Sequence, residues 1–268
     1  MEIRGIHNEV IIGRFRSHRV VESVISARRH HPLSRATIRL ADPAGELARE
    51  SLLDAPVTIT YGHRGGALSS WSGTVSATTT GNRDQIEIDC VGVERPLATT
   101  RITQSWRNEA PEAIITYAAE QAGMDMGMIA APGPTFPHFV SSHSTPWEIA
   151  KSCARTCEQQ FGINMQNWAF WVDSEGRVNW GDFAGEQVDV PVVATGAGLI
   201  RHDPDSGQWF ENRVETFLLP GFWHSERFHL KDDRRGVDNE FRALAVEHRI
   251  SGKRARTTIH MGEEYGRF

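Results

Sequence analysis

The sequence predicts a mainly β protein with an α+β insert, in which two β-barrel or sandwich domains flank a small helical domain. Three observations carry that reading. Short runs that alternate apolar and polar residues fill the first third of the chain. Two segments with helical spacing and clear start and stop signals occupy the middle. Alternation then returns in the last quarter. The boundaries read from these changes are 1–100, 101–190 and 191–268.

In the first domain, Ala36 to Leu40 forms a candidate strand after His31-Pro32, and Pro43 to Asp54 holds one helical turn. Val57, Ile59 and Tyr61 alternate with Thr58 and Thr60, and Gly62 to Gly66 closes that strand with a loop. Trp71, Gly73 and Val75 open the next, and Gly81-Asn82 marks a turn. Ile86, Ile88 and Cys90 then alternate with Glu87 and Asp89. Strands at this spacing indicate a barrel or sandwich.

The character changes after Pro96. Residues 109–123 have Pro111 near the start, Gly123 at the end, and Ile114, Ile115, Ala118 and Ala122 on one side. A Gly- and Pro-rich connector, Met126 to Pro137, leads to a second helix over Thr145 to Phe161. Thr145 and Glu148 make a capping box, Pro146 sits at the first helical position, and Gly162 is placed to end the helix. Ile149, Cys153, Cys157 and Phe161 form its apolar stripe. Trp168 to Val172, a turn over Asp173 to Gly176, and Arg177 to Trp180 read as a hairpin. Residues 185–210, with Gly185, Gly196, Gly198 and Pro204, read as a linker.

The stretch Phe217 to Thr258 reads as a small closed β-module. Phe228 and Leu230 belong to one strand, Asp232 to Asn239 to a charged loop, and Leu244, Val246, His248 and Ile250 to a second strand. Ser251-Gly252-Lys253 turns the chain into a returning strand, Thr257 to Met261. His248 falls on the apolar face, where a buried hydrogen bond that fixes a neighbouring strand or loop is its expected role.

The order in which Leu219, Pro220, Gly221, Phe241, Val246, His248, Gly252 and Thr257 occur resembles the last domain of phage tail baseplate hub proteins. That family includes the late-control D proteins of contractile-tailed phages and the N-terminal part of the type VI secretion spike VgrG. The helix, linker, capped helix and hairpin of residues 105–185 resemble the family's middle domain. The resemblance implies two tube-protein-like β-domains per chain and a homotrimeric ring that adapts a six-fold tail tube to a three-fold spike. It implies as partners the tail tube or distal tail protein, a central spike protein and other baseplate proteins, with DNA only in transit through a central channel. A virion baseplate assembled in the host cytoplasm is the implied location. Because the sequence stops at Phe268, the spike is expected to be a separate protein.

Composition fits this expectation. A net charge of −5 argues against a binder that works by phosphate neutralisation, and it suits a channel that repels DNA. Lys151, Lys231 and Lys253 are the only lysines; the arginine excess suits planar interface hydrogen bonds but equally follows from a GC-rich coding bias. Cys90, Cys153 and Cys157 cannot all pair, which points to a reducing compartment. The start, MEIRGIHNEVIIGRF, has no apolar core of secretory length, and no run approaches the ~20 apolar residues of a membrane helix.

No cofactor or metal motif is present. Cys153 and Cys157 lie on the apolar helix stripe without a CxxC or HxxxH partner, which reads as core. His30-His31, His138 with His143, and His224 with His229 lack ligand spacing. Asp232-Asp233, Glu263-Glu264 and Glu211/Glu215 offer carboxylates to an alternative reading, a cell-wall or carbohydrate-active tail protein. Their contexts are charged loops, where solvated charge is the expectation, so no catalytic residue is assigned. Phe217, Phe222 and Trp223 around the Pro-Gly turn are interface candidates. Arg234-Arg235, beside Asp232-Asp233, reads either as a docking loop for another chain or as a self-neutralising solvent loop.

Overall fold

In the computed structural model the described residues are 5–80, 84–165, 168–182, 189–204, 212–252 and 254–261. The chain is mainly β with a small helical insert, and it forms two compact units, a sheet unit and a mixed unit. The sheet unit takes residues 5–28, 34–93 and 189–261, so the first and last parts of the chain share it.

Its first half contains β1 (Ile6–Ile12), β2 (Phe15–Ser17), β3 (Val20–Arg28) and β4 (Arg35–Ala41). A 3-10 turn at Leu47–Arg49 precedes β5 (Pro56–His63), β6 (Leu68–Thr80) and β7 (Gln85–Gly92). Period-two alternation buries Ile25, Ile38, Ile59, Val75 and Ile88 on one face of these strands. Sheet order places β3 and β1 at opposite ends of the run β3-β4-β7-β6-β5-β1. Yet the Asn8 amide reaches Ser23 Oγ at 3.3 Å, so the run is rolled into a barrel.

The mixed unit follows with α1 (Arg95–Thr99), β8 (Ile102–Glu109), α2 (Pro111–Gln121) and β9 (Met126–Ile129). It continues with β10 (Phe136–Ser144), α3 (Pro146–Phe161), β11 (Trp168–Val172) and β12 (Val178–Asp182). The capping box of α3 is formed: Glu148 N–H donates to Thr145 Oγ1 at 3.2 Å, and Thr145 N–H donates to Glu148 Oε2 at 2.7 Å. Gly162 ends the helix at φ +66, a left-handed cap that a side chain would strain. Ile149, Cys153 and Cys157 are buried against Phe170, Val178 and Trp180 of the hairpin.

The second half of the sheet unit comprises β13 (Val192–Thr195), β14 (Gly198–Asp203), β15 (Asn212–Phe217) and β16 (Arg227–Asp232). It is completed by β17 (Val237–Arg242), β18 (Ala245–Ser251) and β19 (Ala255–Met261). Both halves belong to one sheet of order β17-β16-β13-β14-β15-β19-β18-β3-β4-β7-β6-β5-β1-β2. The seam is the antiparallel pair β18–β3, in register from Ala245↔Arg28 to Ser251↔Glu22 without a break.

Several expectations need correction. The Phe217–Thr258 stretch is no self-contained module, because β18 continues the ladder into β3. The charged loop Asp232–Asn239 is shorter than expected: Val237 already pairs with Asp232, and the turn occupies 233–236. The 185–210 linker holds β13 and β14, and the 126–137 connector holds β9 and the start of β10. β9 and β13 have four residues each and pair in parallel with strands far along the chain, so tertiary pairing outweighs local propensity there. Gly81-Asn82, Gly185, Glu211, Lys253 and Glu263-Glu264 lie outside the described residues.

The capping box gives a direct test of the α3 reading. Thr145→Ala should cost about 1 kcal/mol, read from urea unfolding, since it removes the acceptor of an end N–H. An unchanged midpoint would show that the cap contributes nothing to stability.

Candidate functional site

The segment between β15 and β16, residues 218–226, crosses from one core of the sheet unit to the other. Leu218 and Trp223 pack in the core of the first half, while Phe222 packs in the core of the second with Val214, Phe228 and Val246. The aromatics straddle the seam. Pro220 and Gly221 let the strap reverse, with Gly221 at φ +80; a Cβ there would come 3.4 Å from Ser69 Oγ.

His248 and Thr257 tie this strap down. Both side chains are fully buried, at 0% exposure, on β18 and its partner β19. His248 Nε2 lies 2.9 Å from the Phe222 carbonyl, which can only accept, so this nitrogen carries the proton. Burial pushes the ring's pKa from about 6.5 down to about 4, against the pull of the Phe222 bond, so the imidazole is neutral at pH 7. Its Nδ1 therefore accepts from the Thr257 hydroxyl at 2.9 Å. That hydroxyl in turn accepts the Leu219 N–H at 2.9 Å. Each donor and acceptor in this chain is used.

The first half contributes the other side. His63 Nε2 lies 3.2 Å from the Leu218 carbonyl. The Tyr61 ring centroid is 5.3 Å from that of His248, and Trp223 stacks on His248 at 6.4 Å. Burial raises the Tyr61 pKa, partly offset by hydrogen bonds with Ser69 and the Gly221 backbone. Glu226, at the end of the strap, is pushed up to about 7 by burial, against a backbone hydrogen bond with Trp223.

The motif residues Pro220, Gly221, His248 and Thr257 are thus brought together at the strap. Val246 lies in the second core and Gly252 in the exposed β18–β19 turn. Among the expected interface aromatics, Phe222 and Trp223 are core side chains, 5% and 9% exposed, because the strap inserts them into the two cores. That corrects the interface expectation for both. Phe217 is 40% exposed, with the Arg256 guanidinium over its ring at 5.1 Å. Arg234 and Arg235 are exposed on the β16–β17 turn, where the Arg234 N–H and the Arg235 side chain both approach Asp232.

The carboxylates do not form a matched pair. Asp232 is buried and Asp233 exposed. Burial alone would raise Asp232, but hydrogen bonds from His202, at 2.8 Å, and from the Arg234 N–H hold it below the usual range. Glu215 pairs with Arg256 on the outer face. Cys153 and Cys157 are core side chains with pKa values raised chiefly by burial. Among the described residues no group of three or more His, Cys, Asp or Glu side chains is placed to hold a metal.

Sequence reasoning found His248 through its position on the apolar side of a strand. It missed Tyr61 and the His202–Asp232 pair, whose partners lie on other strands, and Glu226, whose burial follows from the tertiary packing of the strap; none of these leaves a local pattern.

No family model matches the chain, and no curated protein matches it by sequence. Solved structures do. A tail protein from Neisseria meningitidis MC58 superposes with a TM-score of 0.72 at 11% identity, over 97% of each chain. The 43 kDa tail protein of prophage MuSo2 from Shewanella oneidensis gives 0.71 at 12% identity, again over 97% of each chain. The E. coli c3393 protein, a type VI secretion component described as similar to T4 bacteriophage tail proteins gp27 and gp5, gives 0.62 at 12% identity. That match covers 97% of this chain and 78% of the other.

The clamp generates a prediction with a defined sign. The unfolded chain takes up a proton near pH 6.5, whereas folded His248 resists until about 4. Its contribution is whole above pH 6.5 and is lost as pH falls through 4, by about 3 kcal/mol at ~1.4 per pH unit. His260 shifts the same way, and Glu226 works oppositely between 4.5 and 7. Comparison of the native chain with His248→Gln cancels both. The variant should be about 2 kcal/mol less stable at pH 7.5, with the deficit shrinking toward pH 4; a deficit constant with pH would remove His248 from the account.

The chain has the fold of phage and prophage tail proteins and of a type VI secretion component built like them, as the Pro-Gly and His-Thr motif implied.

Proposed function

We infer that the chain is a structural subunit of a tail-like particle and forms the baseplate hub. Three copies make a ring, and each supplies two tube-like β-domains, the two halves of its sheet unit. Six similar faces then meet a six-fold tail tube while the opposite side keeps three-fold symmetry for a central spike protein. Other baseplate proteins bind around the rim, and DNA passes through the central channel without being held. The particle is a virion tail or a tail-like injection device.

The observation that carries this reading is the likeness over 97% of both chains to two tail proteins. The seam supports it physically: seven backbone pairs and a buried polar clamp hold the two halves as one rigid piece. Rigidity of that kind serves an adaptor whose task is geometric. The carboxylates that a catalytic reading would pair do not converge: Asp232 is buried against His202, Asp233 is exposed, and Glu215 is ion-paired with Arg256.

Multi-angle light scattering of the purified chain should give a mass three times that of the monomer, and negative-stain images a three-fold ring with a central hole. A monomer that releases fragments from peptidoglycan would overturn this function in favour of a cell-wall hydrolase.

A further inference from the structure

The strands β14-β15-β19-β18-β3-β4-β7-β6 lie side by side and are antiparallel throughout. Their order repeats. In each block of four, two strands adjacent in the chain lead, β14 and β15 in one and β3 and β4 in the other. Two later strands, β18 and β19 or β6 and β7, complete the block, and the second of them sits beside the leading pair.

The blocks also match in detail. Each leading strand carries a bulge, at Ile200 where the register shifts between Leu199 and Arg201, and at Val21 where it shifts between Val20 and Glu22. Both bulged side chains are exposed, at 40% and 37%. Laying one bulge on the other sets His202 on Ser23, Val214 on Ile38 and Ile259 on Ile88, all of them buried. The seam β18–β3 therefore joins the last strand of one block to the first strand of the other, head to tail.

The same two kinds of edge stand open at the ends of the run. β5 pairs with β6 only as far as Thr74, and among the described residues no strand lies on that side of Ser76–Thr80, which are exposed. β13 pairs with β14 only at Gly198 and Leu199, and among the described residues no strand lies on that side of Ile200–Asp203. Open N–H and C=O groups of this kind template pairing with another chain. Ser76–Thr80 carry no charge, while Arg201 pairs with Asp203 and His202 with Asp232, so the contact buries no unpaired charge of either segment.

We propose that β6 of one copy pairs with β14 of the next as β18 pairs with β3 within the chain. The occupant of each edge is a second copy, because the block that continues the run on either side is one this chain already contains. The contact is heterologous, and it closes into a ring when the rotation per copy allows. Three copies then set six blocks in one sheet. This rests on the ring reading above and names the strands that build the ring. The seam also supplies the register. Ile25 pairs with His248, and their counterparts through the matched ladders are Pro204 and Thr80, so Thr80 faces Pro204 of the next copy.

A disulfide tests that register on the full chain. Oxidised Thr80→Cys/Pro204→Cys protein should give covalent dimers and closed trimers on denaturing gels, and each single variant neither, since Cys90, Cys153 and Cys157 are buried. Independently, Thr78→Lys/Thr80→Lys places edge-blocking lysines on β6 and should weaken self-association by about tenfold or more. Light scattering across a dilution series reads this, with circular dichroism to verify folding. Ser72→Lys, exposed on the part of β6 that is paired on both sides, should leave association unchanged. A trimer that does not cross-link through these positions, or that ignores the paired lysines, would overturn the edge assignment and leave the ring reading intact. A native chain that stays monomeric at the highest concentration would overturn both.

Discussion

The pairing of β18 with β3 is the constraint on which the sheet unit depends. Without it the chain would hold two small β-layers, each with an additional open edge and a core of modest size. With it, strand β18 lends Val246 to the second core and Ile250 to the first. The strap over residues 218–226 repeats that arrangement with Phe222 and Trp223. A continuous ladder and a crossing strap do together what neither does alone: the ladder sets the register, and the strap fixes how each core is filled.

The buried polar groups at this seam show why the clamp is built from histidine and threonine. A strap that crosses two cores must bury backbone groups, and unpaired ones are costly. The Leu219 N–H and the Phe222 carbonyl are such groups, and the Thr257–His248 relay supplies one acceptor and one donor for them. A neutral imidazole offers one of each on opposite sides of a ring. Desolvation keeps it neutral, so the feature that depresses its pKa also secures the tautomer that the strap requires.

What could be read from the sequence followed the range of the interactions. The α3 boundaries were legible because Thr145, Pro146, Glu148 and Gly162 act within one turn of the helix ends. The β11–β12 hairpin was legible through its Asp173–Gly176 turn, and His248 through alternation along one strand. β13 and β14 were not, since Gly196 and Gly198 look like linker residues until parallel pairing with β16 and antiparallel pairing with β15 are known. Phe222 and Trp223 were misjudged for a related reason. Aromatics beside a Pro-Gly turn look solvent-facing along the chain, and only the two assembled cores, the first taking Trp223 and the second Phe222, show where they go.

A strand shared between two cores has a consequence for how such proteins change over generations. A crossover that replaced one half of the sheet unit would need to bring β18, the strap and their contacts with Tyr61 and Ile250's neighbours along with it. Half of each core would otherwise meet unfamiliar side chains. The packing thus makes the sheet unit exchangeable only as a whole, while the exposed β16–β17 turn touches neither core and places no such demand on its residues.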